Sequence, residues 1–414
     1  MGLQIRKNCQ RKFEHYLTEA IKLRQEGLQN EKIFRFDNIC YVLTDLLEDG
    51  LSRSTVLKDM VKKAAFQTTT VDRASFFEAL NSLSAVTGDY ESFYLVATAN
   101  LKLTTLTRRI FRIDDADLRV VNYNTADAVF QVSTLFREWN IHTFDQKRPF
   151  VGYSYIVVEI LANNAEEAFE KAYGSMELFR GLLNYADYSQ KLAYTYYGGI
   201  PSPKTLSVLQ PPRVIMLFDK NRRHLFDRFR IGVFDYSMNE FGYDFMEKND
   251  LLAELIEETN SIQPCPLKER CLLCFRKYND GLDGNVSGTA FLEFWKIFEL
   301  VAMADKSDRG MAEDKVAKRI ASLFPEELSR DIMNALCDKR NYITHVGSLS
   351  MFDQDEMNFV RQYCEAAMMF LLHAAQDFDD EKSLEYFYEN INANDKDLER
   401  LEAVIAKIKA FRTP

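Results

Sequence analysis

Apolar residues recur along most of the chain at helical spacing, and one central stretch reads as strand instead. Phe13, Tyr16, Leu17, Ala20 and Ile21 fall at i, i+3, i+4, i+7 and i+8 with charged residues between them, which predicts a first amphipathic helix. The same spacing predicts helices over 36–47, ending at Asp49-Gly50, over 54–65, and around 76–83, where Thr70 or Asp72 is placed to cap. The pattern then changes. Residues 92–103 and 151–161 are rich in β-branched and aromatic side chains and predict strands, as do 213–218 and 231–236. Between them Asn163 opens a helix over 165–183, and Pro201, Pro203, Pro211 and Pro212 punctuate a loop. From about Asn249 the strand signals stop. Helices are predicted over 251–259, over 267–278 with a stop at Asp280-Gly281, and over 289–302, 314–324, 327–345, 355–376 and 395–411.

This order predicts an α+β region over 1–245, divisible into a helical piece 1–85 and an α/β piece 86–245, followed by an all-α helical bundle over 250–414. The length of 414 residues agrees, since roughly 150 residues per domain gives two or three. Phe291, Phe294, Trp295 and Phe298 form a helical stripe that reads as core rather than as a platform for stacking bases. His373, after the apolar run 368–372, reads as an interior or interface residue.

The net charge of −10 argues against a protein that coats nucleic acid along its length, but a nuclease needs only a local positive field. Local basic runs occur at Thr107-Arg108-Arg109 and from Lys220 through Arg222, Arg223 and His224 to Arg228 and Arg230. Seven cysteines, an odd number, without a secretory signal point to reduced thiols and a cytoplasmic setting. No apolar run reaches the length of a membrane span, so no membrane partner is expected. Cys265, Cys271 and Cys274 lack a nearby fourth ligand for structural zinc, and no metal or cofactor site is expected.

The chemistry-bearing segment is Arg340-Asn341-Tyr342-Ile343-Thr344-His345. A guanidinium stays charged and can fork onto a phosphate, and an imidazole titrates near neutrality and can move a proton. RNA carries its own nucleophile, the 2′-OH, so cleavage needs only proton transfer and charge stabilisation. Asn341 and His345 are i, i+4 and share a helix face, which places the amide to orient the imidazole. Arg340 and His345 are five apart, roughly 140° around a helix, so they converge only at a helix end, for which Gly347 is placed, or across two copies. The spacing also occurs at Arg137 and His142, and on spacing alone the pair reads as a surface ion pair or a capped helix end.

The surroundings add to this. The segment 269–278, the helix Phe291-Leu292-Glu293-Phe294-Trp295-Lys296-Ile297-Phe298-Glu299, and the run from Lys339-Arg340-Asn341 to His345-Val346-Gly347 resemble the HEPN superfamily of helical-bundle ribonucleases, most closely its ApeA-like branch, over about residues 262–378. The resemblance implies a metal-independent endoribonuclease of anti-phage defence or toxin type that leaves a 2′,3′-cyclic phosphate. It implies catalytic roles for Arg340, His345 and Asn341, support from Glu299, and a homodimer through the helical domain. Lys339, beside the motif, and Arg222 and Arg223 are the candidate RNA contacts. The region before residue 250 is expected to sense or regulate, by itself or with a regulatory protein partner. Tyr342 inside the motif would be a target for modification by such a partner. The competing reading is a HEPN-like domain that no longer cuts and serves as an RNA- or nucleotide-binding or dimerisation adaptor.

Overall fold

The structure, a computed structural model, describes residues 4–6, 9–27, 31–48, 55–68, 72–84, 90–101, 109–138, 154–188, 207–231, 249–284, 287–303, 312–346, 354–378 and 380–412. The order begins β1 (Gln4–Ile5), α1 (Gln10–Gln25), α2 (Glu31–Asp45), β2 (Leu47–Glu48), α3 (Thr55–Gln67) and α4 (Arg73–Ser84). It continues β3 (Glu91–Ala99), β4 (Ile110–Ile113), β5 (Ala116–Asn122), α5 (Tyr123–Phe130), α6 (Val132–Glu138), β6 (Ser154–Ala162), α7 (Ala165–Tyr188), β7 (Val214–Phe218) and β8 (His224–Ile231). Then come helices only: α8 (Asn249–Ser261), α9 (Pro266–Asp283), α10 (Ser287–Ala302), α11 (Glu313–Ala321), α12 (Glu327–Val346), α13 (Gln354–Asp377), α14 (Glu381–Asn390) and α15 (Asp395–Arg412). An antiparallel six-stranded sheet, in the order β4-β5-β6-β3-β7-β8, thus lies in the first half, and the described residues beyond 249 are mostly helical.

The chain groups into two compact units. The first holds residues 1–93, 160–171 and 217–228, and the second holds 94–159, 172–216 and 229–414. The grouping cuts across residue 245, since strands β4 and β5 and most of α7 fall with the C-terminal helices.

In the first unit α1 buries Phe13, Leu17, Ala20 and Ile21, four of the five positions its spacing singled out. The Phe13 ring meets Phe76 edge-on at 5.6 Å and stacks on Phe77 at 5.9 Å. Asp72 caps α4, accepting from the amides of Ala74 at 2.8 Å and Ser75 at 3.0 Å. Thr70 and Asp49-Gly50 lie outside the described residues. At the start of α7 the cap is Asn164 rather than Asn163. Its Oδ1 accepts from the amides of Glu166 and Glu167, while Asn163 donates both its backbone and side-chain N–H to the Glu167 carboxylate, a reciprocal arrangement close to a capping box.

Several elements escape the periodicity. Strands β4 and β5 form a hairpin with Ile113 opposite Ala116 and Asp114 at φ 53°, where a short polar side chain tolerates the left-handed region. Strand β8 occupies 224–231, where the charge pattern reads as a basic surface run, and 232–236 lie outside the described residues. Helices α5, α6 and α14 are short, and α14 is announced mainly by its Asp380 cap on Ser383.

In the second unit α9, α10 and α13 pack together, α11 pairs with α12, and α10 also meets both of these. Phe291, Phe294, Trp295 and Phe298 are all fully buried, so the aromatic stripe is core as expected. Gly281 does not stop α9, which runs on to Asp283. Its role is closeness: a Cβ there would come within 2.6 Å of the Phe294 ring. His373 is exposed between buried Leu372 and Ala374, because the helix turns that position away from the apolar face.

The tightest approach is between α7 and α9. A Cβ on Gly181 would lie 2.1 Å from the Phe275 carbonyl oxygen, so two backbones are nearly in contact. Next to it Arg180, 2% exposed, pairs with Asp283 at 3.0 Å and Glu177 at 2.7 Å and donates to the Leu209 carbonyl from Nε at 3.1 Å and Nη2 at 3.0 Å. Burial opposes its charge, and Asp283 and Glu177 outweigh that, holding the guanidinium more firmly protonated than usual. One turn on, Asn184 donates to Asn279 at 2.9 Å and accepts from the Leu209 amide at 2.8 Å.

Gly181→Ala is expected to destabilise by about 1–3 kcal/mol or more through overpacking against rigid backbone, and Gly281→Ala by less because a ring can yield. Thermal unfolding of the two variants checks this; equal melting temperatures for Gly181→Ala and wild type would contradict the close approach.

Candidate functional site

Arg340 lies on α12, six residues before that helix ends at Val346. Its guanidinium is drawn into the junction of three helices. Nη1 pairs with the Glu313 carboxylate at the first position of α11, and Nη2 lies 3.5 Å from Glu299 on α10. The side chain keeps 19% exposure, so most of it is out of water. The packing of α10 on α11 and α12 brings these acids together, and the N-terminal end of a helix favours a negative charge at Glu313. Burial pushes the Glu299 carboxyl up; Arg340 opposes that and Glu313 adds to it.

Asn341 turns toward the start of its helix, as helical side chains do. Its Oδ1 accepts from Arg340 Nη1 at 3.3 Å and its amide faces the Cys337 sulfur at 4.0 Å. The expected support of His345 by Asn341 is therefore not what the geometry provides; Asn341 steadies Arg340. The Cys337 thiol is held up by burial, and Asp338, Glu313 and Asp314 reinforce it, so it is not a poised thiolate. Ile343 is buried and anchors the segment, while Tyr342 and His345 are exposed. The Thr344 hydroxyl donates back to the Arg340 carbonyl at 2.9 Å. Among the described residues His345 makes no hydrogen bond or ion pair, so its imidazole is open to solvent on the last turn. Lys339 is half-buried beside the motif. Gly347 lies outside the described residues, although α12 does end one residue before it.

The structure thus joins Arg340 with Glu299 and Asn341, adds Glu313, and leaves His345 apart from them. No spacing rule marks Glu313, because it reaches Arg340 only through the pairing of α11 with α12. Arg222 and Arg223 belong to the first unit, in the turn between β7 and β8. Asp219 organises that turn, its Oδ1 accepting from the amides of Asn221 and Arg223 at 2.8 Å. Both arginines are exposed, and Arg222 sits at φ 63°, the left-handed position of a three-residue hairpin loop that favours glycine. Arg137 is engaged by its own helix, at Ser133 and Thr134, and His142 lies outside the described residues.

A cavity of about 310 Å³ flanks the Arg180 seam, its lining including Tyr173, Glu177, Asp280, Asp283 and Glu293. Four carboxylates against one buried guanidinium make it unsuited to phosphate. Cys271 and Cys274 are buried thiols pushed up by desolvation. Cys265 caps α9, its sulfur accepting from the Lys268 amide at 3.3 Å.

No protein-family model matches the chain, and no curated protein and no solved structure is significantly similar to it.

The Arg340–Glu313 pair is expected to couple by about 0.5–1 kcal/mol, since both groups are partly exposed. A double-mutant cycle of Arg340→Ala and Glu313→Gln in denaturant unfolding measures it; a coupling of zero would mean that the pair does not hold the guanidinium.

Proposed function

We propose that the helical region is a HEPN-like module that cleaves RNA without a metal ion. One observation carries the reading: Arg340 is fixed at the junction of α10, α11 and α12 by Glu299, Glu313 and Asn341, while His345 stands exposed on the last turn of the same helix. A cation held in place and an exposed imidazole on the same helix are the two groups that 2′-OH chemistry requires, and a second copy would bring them together. The 2′-oxygen attacks the adjacent phosphorus, the bond from phosphorus to O5′ breaks, and a 2′,3′-cyclic phosphate and a 5′-OH end form. One proton leaves the 2′-OH and one is delivered to O5′; His345 is the group that carries one of these transfers. Arg340 forks onto the non-bridging oxygens, for which the phosphate displaces Glu299, the looser of its two carboxylate partners. The angular gap between Arg340 and His345 on one helix fits a site completed by a second copy. Lys339 supplies further positive charge beside the motif, and Arg222 and Arg223 offer a separate exposed cationic turn for RNA. Residues 1–245 serve as the sensing or regulatory part of a defence or toxin-type effector in the cytoplasm, alone or with a regulatory partner. No helix among the described residues is long and apolar enough to cross a membrane.

A second reading has its own support. Two carboxylates already occupy Arg340, as suits a structural ion pair, and an adaptor that binds RNA or nucleotide without cutting would retain that arrangement.

Incubation with total RNA in chelator, followed by end analysis, separates the two. Wild type is expected to leave cyclic phosphate ends, and His345→Ala to lose about 10²–10⁴-fold of the rate. Arg340→Ala is expected to lose activity as well. Equal cleavage by wild type and His345→Ala, or cleavage only after a divalent metal is added, overturns the nuclease reading; RNA binding without cleavage favours the adaptor.

A further inference from the structure

Helix α15 is bare. Every side chain from Asp395 to Ala410 is exposed, including Leu398 at 39%, Leu401 at 42%, Val404 at 47%, Ile405 at 43% and Ile408 at 45%. A helix of 18 residues with no packed face is marginal in water, because helices in proteins draw most of their stability from burying an apolar stripe. The stripe is present. Leu398, Leu401, Ile405 and Ile408 follow the 3-4-3 spacing of a heptad seam, with Val404 beside them, while Lys396, Glu399, Glu402, Lys407 and Lys409 lie outside the seam.

Charge along the helix selects the occupant. Acids cluster in the first half, at Asp395, Asp397, Glu399 and Glu402, against Lys396 and Arg400. The second half, through Ala410, carries Lys407 and Lys409 and no acid. A second copy of the same helix laid antiparallel sets each acidic half against a basic half. In that register Leu398 faces Ile408 and Leu401 faces Ile405, the acidic end of one helix lies along the basic end of the other, and Glu402 meets its own counterpart at the centre. A parallel pair would set like charges side by side. We propose that α15 is a dimerisation helix that pairs antiparallel with α15 of a second copy of this chain. The proposal does not depend on the RNA-cleaving reading, because it stands on the exposed seam and its charges alone.

The test is the oligomeric state of the full chain in sedimentation velocity, over concentrations up to tens of micromolar. Wild type is expected to be dimeric. Ile405→Glu, at an exposed position and therefore neutral for the rest of the fold, is expected to be monomeric with an unchanged circular dichroism spectrum outside the helical contribution of α15. Lys407→Glu/Lys409→Glu and Glu399→Lys/Glu402→Lys are each expected to weaken self-association, and mixing the two is expected to restore dimers. A monomeric wild type overturns the proposal, as does a dimer that Ile405→Glu leaves intact. Binding of a monomeric wild type to vesicles of anionic phospholipid would assign the stripe to a membrane surface and overturn it equally. Because none of these measurements reads cleavage, a failure here leaves the assignment of Arg340 and His345 untouched.

Discussion

In the second unit α7 and α9 nearly touch, and the polar groups of that seam are arranged around the contact. Gly181 leaves no side chain between its helix and the Phe275 carbonyl, and any Cβ would collide with backbone that cannot move aside. Helices this close leave little room for water at the contact itself, so the polar groups beside it bond largely to protein. Arg180, Asn184 and Asn279 do so, and the Leu209 carbonyl receives bonds from both Arg180 and Asn184. A buried guanidinium with two carboxylates is weak evidence for net stability, yet removing one partner would leave a buried charge at a cost of roughly 3–5 kcal/mol. The seam therefore fixes geometry more than it adds energy. Within the second unit, α9, which packs on α10, meets α7 at this backbone contact.

The same packing reaches the site through α10. Glu299 sits on α10 and Glu313 opens α11, so the position of Arg340 is set by three helices rather than by its own turn. The electrostatic consequence is that the one guanidinium of the motif is already neutralised. A phosphate must compete with carboxylates for it, and the competition is easiest against Glu299, whose carboxyl burial already pushes toward its neutral form. Protonating Glu299 would free one side of Arg340 and relieve the repulsion of Glu299 with Glu313. The site is thus better described as a restrained cation than as an open anion cradle, which suits an effector held in check as well as it suits an adaptor.

How much of this could be read from the chain follows physical lines. Some long amphipathic helices were legible, since their apolar faces are what burial selects: α1 and α10 bury the predicted stripe, whereas on α13 the expected face of Phe359, Tyr363, Ala366, Met369 and Phe370 stays exposed or partly exposed, and Val360, Cys364, Ala367, Met368 and Leu371 are buried instead. Short elements were not. Strands β4 and β5 alternate over too few residues to stand out, and β8 carries basic residues that read as solvated surface. Gly281 was misread because a helix end and a close helix contact both select glycine, and only the Phe294 ring distinguishes them. The candidate site was half legible. Arg340, Asn341 and His345 share a segment, and Glu299 belonged to the helix that the family resemblance brought in. Glu313, and the turn of Asn341 away from His345, depend on helix pairing and on the direction of helical side chains, which no spacing encodes.

The occupied arginine and the bare helix differ in what they demand. Arg340 is a satisfied group, so by itself it creates no drive toward a second copy or a ligand. The stripe on α15 is an exposed apolar surface, and burying it against a second copy would supply free energy for association. Pairing through α15 can alter the Arg340 site only if the paired state makes contacts there that differ between a held and a released guanidinium, because a partner indifferent to the two shifts neither. If α15 lay far from α12 in the pair, dimerisation would raise the local concentration of sites without activating them. If the two α12 ends met, His345 of one copy would face Arg340 of the other, and the gap of roughly 140° between them on one helix would cease to matter. Under the proposed readings, pairing through α15 and release of Arg340 would therefore be separate steps physically, joined only by whatever contact couples α15 to the end of α12.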